Sequence, residues 1–153
     1  MFITNHVLAG TIAGTALRRR PVLAFCAGVA THVAMDMTPH WGDPTLENDG
    51  FIKVAKRDGV LGLGVVALVT AAGLPPRTAL LAGIAGAALL DADKPCEYFF
   101  GFNPWPRWLD EFHRRIQRES LDGIRVEMAT GVALAAVSAV VLARRRLTTA
   151  RAC

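Results

Sequence analysis

The chain has 153 residues, one domain's worth, of which 52% are hydrophobic and only 20% charged, with a mean hydropathy of +0.34. Its pI near 9.4 does not point to nucleic acid, because the Lys and Arg residues sit at the ends of apolar blocks rather than in one patch interleaved with aromatics. The blocks are rich in Ala, Gly, Leu and Val and lack amphipathic stripes, which predicts a lipid bilayer as the partner rather than a water-soluble core.

The first apolar segment runs from about Phe2 to Leu17, with Thr4 or Asn5 as its expected cap and His6 in its first turn. Gly10 and Gly14 form a GxxxG pair, a close-packing face for helices in lipid. Arg18 to Pro21 make a tight basic turn, and the second segment spans about Pro21 to Met37. A polar loop follows from Thr38 to about Arg57, with Asp43-Pro44 and Asn48-Asp49-Gly50 as turn signals. A third segment covers about Asp58 to Leu74 and turns at Pro75-Pro76-Arg77 into a fourth, about Thr78 to Leu90.

Beyond Asp91-Ala92-Asp93-Lys94-Pro95, a long loop is expected from Cys96 to about Asp122. Its Tyr98, Phe99, Phe100, Trp105 and Trp108 read as an interfacial aromatic belt, and 108–120 has the spacing of a short amphipathic helix, with Leu109, Phe112 and Ile116 on one side. A fifth segment, about Gly123 to Ala143, ends in Arg144-Arg145-Arg146. The predicted fold is a single all-α domain over 1–153, a polytopic membrane bundle of about five apolar helices (four to five spans) with one amphipathic interfacial helix. Cys26, Cys96 and Cys153 are too scattered for a disulfide framework or a CxxC knuckle. A cleaved signal peptide is not expected, since the first basic residues follow the apolar run.

The second segment ends in Thr31-His32-Val33-Ala34-Met35-Asp36-Met37-Thr38-Pro39-His40-Trp41. His32 and Asp36 are four apart, so on a helix they share a face. Pro39 disfavours helix at Thr38, which puts His40 in the exit turn. Imidazoles and a carboxylate converging in this way suit a divalent metal such as zinc or manganese.

Five alternating segments define two ends. One carries Arg18 to Arg20, Arg77, Arg144 to Arg146 and Arg151 without an acid, in short turns beside span ends. The Lys/Arg rule then places this end, with the C-terminus, in the cytoplasm. The other end gathers all four histidines, His6, His32, His40 and His113, together with Asp36, Asp91 and Asp93. Ionisable groups near span ends usually have a partner or a function.

On these residues the chain resembles the membrane-bound metal-dependent hydrolase family of bacterial inner membranes, LexA-regulated in its founding members. The matches are His6 in Thr-Asn-His, Asp91-Ala-Asp93, and His113-Arg114. His32-x-x-x-Asp36-x-x-Pro39-His40 is similar to a stretch in other small membrane proteins of unknown function. The family's His-Arg is usually followed by Thr-His-Ser, whereas this chain has Arg115-Ile116-Gln117-Arg118-Glu119-Ser120. The resemblance implies a multi-pass inner-membrane protein and a hydrolytic reaction class.

The expected ligands for one or two ions are His6, His32, Asp36, His40, Asp91 and His113, with Asp93 or Glu119 as general base to a metal-activated water. Arg114, Arg115 and Arg118 are expected to hold a phosphate, which suggests a phospholipid or lipid-linked phosphate as substrate. The alternative is a non-catalytic membrane protein, a metal or proton transporter or a structural subunit.

Overall fold

The computed structural model describes residues 1–43, 49–72 and 77–150. The helices are α1 (Ile3–Ala16), α2 (Pro21–Asp36), α3 (Asp49–Ala72), α4 (Thr78–Ala88), α5 (Asp93–Phe100), α6 (Arg107–Ile116) and α7 (Ile124–Ala150). Short 3-10 turns at Leu90–Ala92 and Leu121–Gly123 lead into α5 and α7, and two-residue strands β1 (His40–Trp41) and β2 (Glu119–Ser120) pair in parallel.

The centre of the fold is the three-helix contact of α1, α2 and α4, and glycine makes it possible. A Cβ on Gly10 would lie 2.6 Å from Gly83 O, and one on Gly14 would lie 2.5 Å from Ala79 O. Gly28 and Gly86 close the contact between α2 and α4 in the same manner. Backbones this close leave little room for large side chains, so the apolar cluster is small: Val7, Val69, Leu80 and Ile84, flanked by Val65, Val66 and Leu142.

The all-α class stands, apart from the two-residue strands, but the five-span membrane bundle does not. Among the described residues, one helix is long and apolar enough to cross a bilayer, within Leu121–Thr148. Helices α1, α2 and α4 have 14, 16 and 11 residues, about 21, 24 and 17 Å at 1.5 Å per residue, against a hydrocarbon core of about 30 Å. α3 is longer, at 24 residues, but Lys53, Lys56, Arg57 and Asp58 occupy its first half. Glycines of the α1, α2 and α4 segments that suggested lipid serve the contacts among these helices.

Several boundaries also differ. α3 starts at Asp49, within the expected polar loop, so Asp49-Gly50 opens a helix rather than a turn. α5 occupies the start of the expected long loop because Pro95 is its third residue, where the first turn has no intrahelical acceptor for an N–H. The amphipathic helix ends at Ile116 rather than Ser120, as Gln117 turns extended (ψ 125°). Residues 44–48, Pro75-Pro76, Arg151 and Cys153, which carried turn, charge or cysteine readings, lie outside the described residues.

No side chain of α1 caps its own N-terminus. Carboxylates from two other helices do so. Asp58 Oδ2 on α3 accepts from Ile3 N at 2.6 Å, and Glu127 on α7 accepts from Phe2 N at 3.1 Å. Thr4 and Asn5, the expected caps, donate outwards instead, to Asp58 O and to Glu127. The first turn's unpaired N–H groups and the positive end of the helix dipole favour this arrangement. It fixes the turn that carries His6.

Candidate metal centre

His32 and Asp36 occupy the last two turns of α2 and share a face, with His32 Nε2 3.0 Å from Asp36 Oδ2. His6 comes from the first turn of α1, Asp91 from the 3-10 turn after α4, and His113 from α6. His6, His32, Asp36 and His113 are fully buried, while the Asp91 side chain retains 11% exposure. His113 Nε2 lies 3.2 Å from Asp36 Oδ2 and 3.7 Å from Asp91 Oδ1. His6 Nε2 lies 3.2 Å from Asp36 Oδ1, an oxygen that also faces the Met1 amine at 3.0 Å, and 3.6 Å from Asp91 Oδ2.

The β1–β2 pair brings α6 to this place. Arg118 N donates to Asp36 O, and His40 N donates to Arg118 O, both at 3.1 Å. The chain leaving α6 is thereby fastened to the end of α2, which sets His113 beside His32 and Asp36. On α6 the predicted apolar residue Phe112 is exposed, and the buried position is His113.

The hydrogen bonds around the imidazoles indicate what they can bind. His32 Nδ1 lies 2.7 Å from Ala87 O. A carbonyl only accepts, so Nδ1 carries hydrogen, and in the neutral ring Nε2 presents a lone pair to the cluster. On His113, Nδ1 lies 3.5 Å from Asp93 Oδ2, an ion-pair distance without a hydrogen bond, and Nε2 is turned inward. The two inward nitrogens are 3.1 Å apart. Lone pairs that close, beside a carboxylate, require a cation between or among them, either a proton or a metal. A carbonyl or carboxylate behind each ligating imidazole is the usual outer support of a metal site.

His6 Nδ1 and Nε2, Asp91 Oδ1 and His113 Nδ1 are buried without a hydrogen-bond partner. Leaving such groups unpaired costs about 1–3 kcal/mol each. One ligand atom from each of His32, Asp36, Asp91 and His113 lies within 4.8 Å of the others. This buried cluster can hold a metal ion.

The titration of the groups fits a cation site. Burial raises Asp36, but the facing His113, His32 and His6 rings outweigh it and hold the carboxyl far below its usual range. Burial likewise raises Asp91, yet Lys94 and the nearby imidazoles bring it down to about 2. Burial pushes His6 down to about 4. For His113, burial is outweighed by Asp36 and Asp93, which carry it up to about 9. Without a metal, His113 therefore holds the proton that satisfies the inward lone pairs.

The remaining expected residues are placed as follows. Asp93 lies behind His113, and its Oδ1 accepts from Lys94 N at 2.7 Å. It orients an imidazole rather than facing the cluster. His40 is buried with Nδ1 2.7 Å from Thr38 O and Nε2 4.0 Å from Glu119 Oε1, a separate pair across the β1–β2 bridge. Arg114 is exposed and pairs with Asp110 at 3.1 Å; Arg115 and Arg118 are exposed.

Sequence reasoning passed over Gln117 as a ligand neighbour, although its Nε2 is 3.2 Å from His113 Nε2. It stands four residues after His113, and that helical spacing was the available signal. Lys94, 3.6 Å from Asp91 Oδ1 and partly exposed, marks the side on which the cluster approaches the surface. No family model matches the chain, and no curated protein or solved structure matches it either.

Proposed function

We propose that the protein is a membrane-associated metal-dependent hydrolase whose ion, zinc or manganese, is held by His32, Asp36, Asp91 and His113. The observation that carries this reading is the pair of inward Nε2 atoms at 3.1 Å, both facing Asp36. Nitrogen and carboxylate ligands in a closed, buried set favour zinc or manganese over magnesium or calcium. A divalent ion supplies a Lewis acid and a lowered water pKa.

The protein's own groups supply the rest. Ala87 O fixes His32 in the ligating tautomer, and Asp93 places a carboxylate 3.5 Å behind His113 Nδ1. Lys94, 3.6 Å from Asp91 Oδ1 and partly exposed, offers a cationic contact to an anionic ester. A phosphoester, lipid-linked or free, is the substrate class that such a cation favours.

Membrane association rests on α7 and its surroundings. The apolar window in Leu121–Thr148 has a mean hydropathy of 2.0 and is only 11% buried. Exposed Tyr98, Phe99, Phe100 and Trp108 add the aromatic surface expected at an interface. The test is hydrolysis of a chromogenic phosphodiester, a phosphomonoester and phospholipid micelles by purified full chain, with zinc or manganese and with chelator. The reading predicts ion-dependent turnover that Asp36→Asn abolishes. Metal-loaded, folded protein that cleaves none of these esters would overturn the catalytic assignment.

A further inference from the structure

The two carboxylates of the cluster each face imidazoles with both oxygens. Asp36 Oδ2 faces His32 Nε2 at 3.0 Å and His113 Nε2 at 3.2 Å, while its Oδ1 faces His6 Nε2 at 3.2 Å. Asp91 repeats the division, with Oδ1 3.7 Å from His113 Nε2 and Oδ2 3.6 Å from His6 Nε2. A single ion among His32, His113 and one oxygen of each acid leaves His6 and Asp91 Oδ2 unused, and Asp36 Oδ1 shared between His6 and the Met1 amine.

His6 cannot be dismissed as a packing residue. It is fully buried and stacked on His32 at 4.1 Å between centroids, its Nδ1 has no hydrogen-bond partner, and its Nε2 faces only the carboxylate oxygens of Asp36 and Asp91. Its first-turn position is held by carboxylates from α3 and α7, so the ring is kept where it is by elements outside the cluster. The Met1 amine takes one contact on Asp36 Oδ1, and a carboxylate oxygen offers two lone-pair sites.

We propose that the centre binds two divalent ions bridged by Asp36 and Asp91, one on the His32 and His113 side and the second on the His6 side. The proposal rests on the single-ion reading above and extends it. Paired ions of this kind can stabilise both the attacking and the leaving oxygen of an in-line displacement, which suits the phosphoester class proposed above.

The test is manganese reconstitution of the detergent-purified full chain, with metal-to-protein ratio by elemental mass spectrometry and electron paramagnetic resonance of the bound ion. The expected result is two ions per chain with an exchange-coupled signal. His6→Ala should fall to one ion per chain with the signal of an isolated ion. His6→Gln, with circular dichroism on both variants, guards against loss of fold and should likewise lose the coupling.

One ion per chain in wild type, unchanged in His6→Ala, would overturn the second ion and leave the single-ion reading intact. Two ions retained in folded His6→Ala would overturn the assignment of His6. No ion in folded wild type would overturn both readings.

Discussion

If a proton on His113 takes the place of the cation, metal binding must displace it. Asp36 and Asp93 hold His113 at about 9 against the opposing effect of burial, while His6 sits near 4 and Asp91 near 2. At pH 7 His6 is already neutral and Asp91 already ionised, so the His113 proton is the competitor.

The sign follows directly. Raising pH removes the competing proton, so apparent affinity should rise about tenfold per unit from pH 7 towards 9 and then level off. At pH 7 it should stand about a hundredfold below its plateau. Titration calorimetry in buffers of different ionisation enthalpy should report about one proton released from His113 per first ion. Asp93→Asn removes one of the groups raising His113 and should bring the plateau to lower pH. Affinity that stays flat between pH 7 and 9, with no proton released, would refute the reasoning.

The same shift has a consequence for stability. A His whose folded pKa is raised stabilises the metal-free fold fully below its unfolded value of about 6.5, and that contribution is lost as pH rises through about 9. The difference in Tm between metal-loaded and metal-free protein should therefore widen over this window in thermal melts. A Cβ on Gly83 would lie 2.5 Å from Gly10 O and 2.7 Å from Gly14 N, so Gly83→Ala should cost at least about 1–3 kcal/mol in denaturant unfolding. Gly59→Ala meets nothing within 4 Å and should stabilise by about 0.5–1 kcal/mol. Asp58→Ala leaves the Ile3 and Thr4 amides without their acceptor and should cost about 1–3 kcal/mol. Val132, strongly exposed on α7, separates lipid from water: Val132→Arg should cost about 2.5–3.5 kcal/mol on insertion and deplete the membrane fraction, whereas in water it would be nearly silent.

The helical segments and much of the polar cluster were legible in the sequence for local reasons. The i, i+4 spacing of His32 and Asp36 places both on one face, and Pro39 places the end of α2. The alternation of apolar segments brings His6, Asp91 and His113 to the same end as that motif. The spacing of Gly10 and Gly14 gave a helix contact face correctly, but the Gly- and Ala-rich composition does not tell short packed helices from spans, and on that point the five-span reading failed. Gly10, Gly14, Gly28, Gly83 and Gly86 carry helix contacts. The capping of α1 by Asp58 and Glu127 spans more than fifty residues of sequence in each case, and the His40–Glu119 pairing depends on two-residue strands with no propensity signature. Such long-range pairings carry no periodicity to read.

The most direct measurement is metal content by elemental mass spectrometry of the detergent-purified full chain, wild type beside His32→Ala and Asp36→Asn, each checked for fold by circular dichroism. The account predicts at least one zinc or manganese per wild-type chain, falling sharply in both variants. Folded wild type that binds neither ion after supplementation, or variants that retain the full complement, would contradict it.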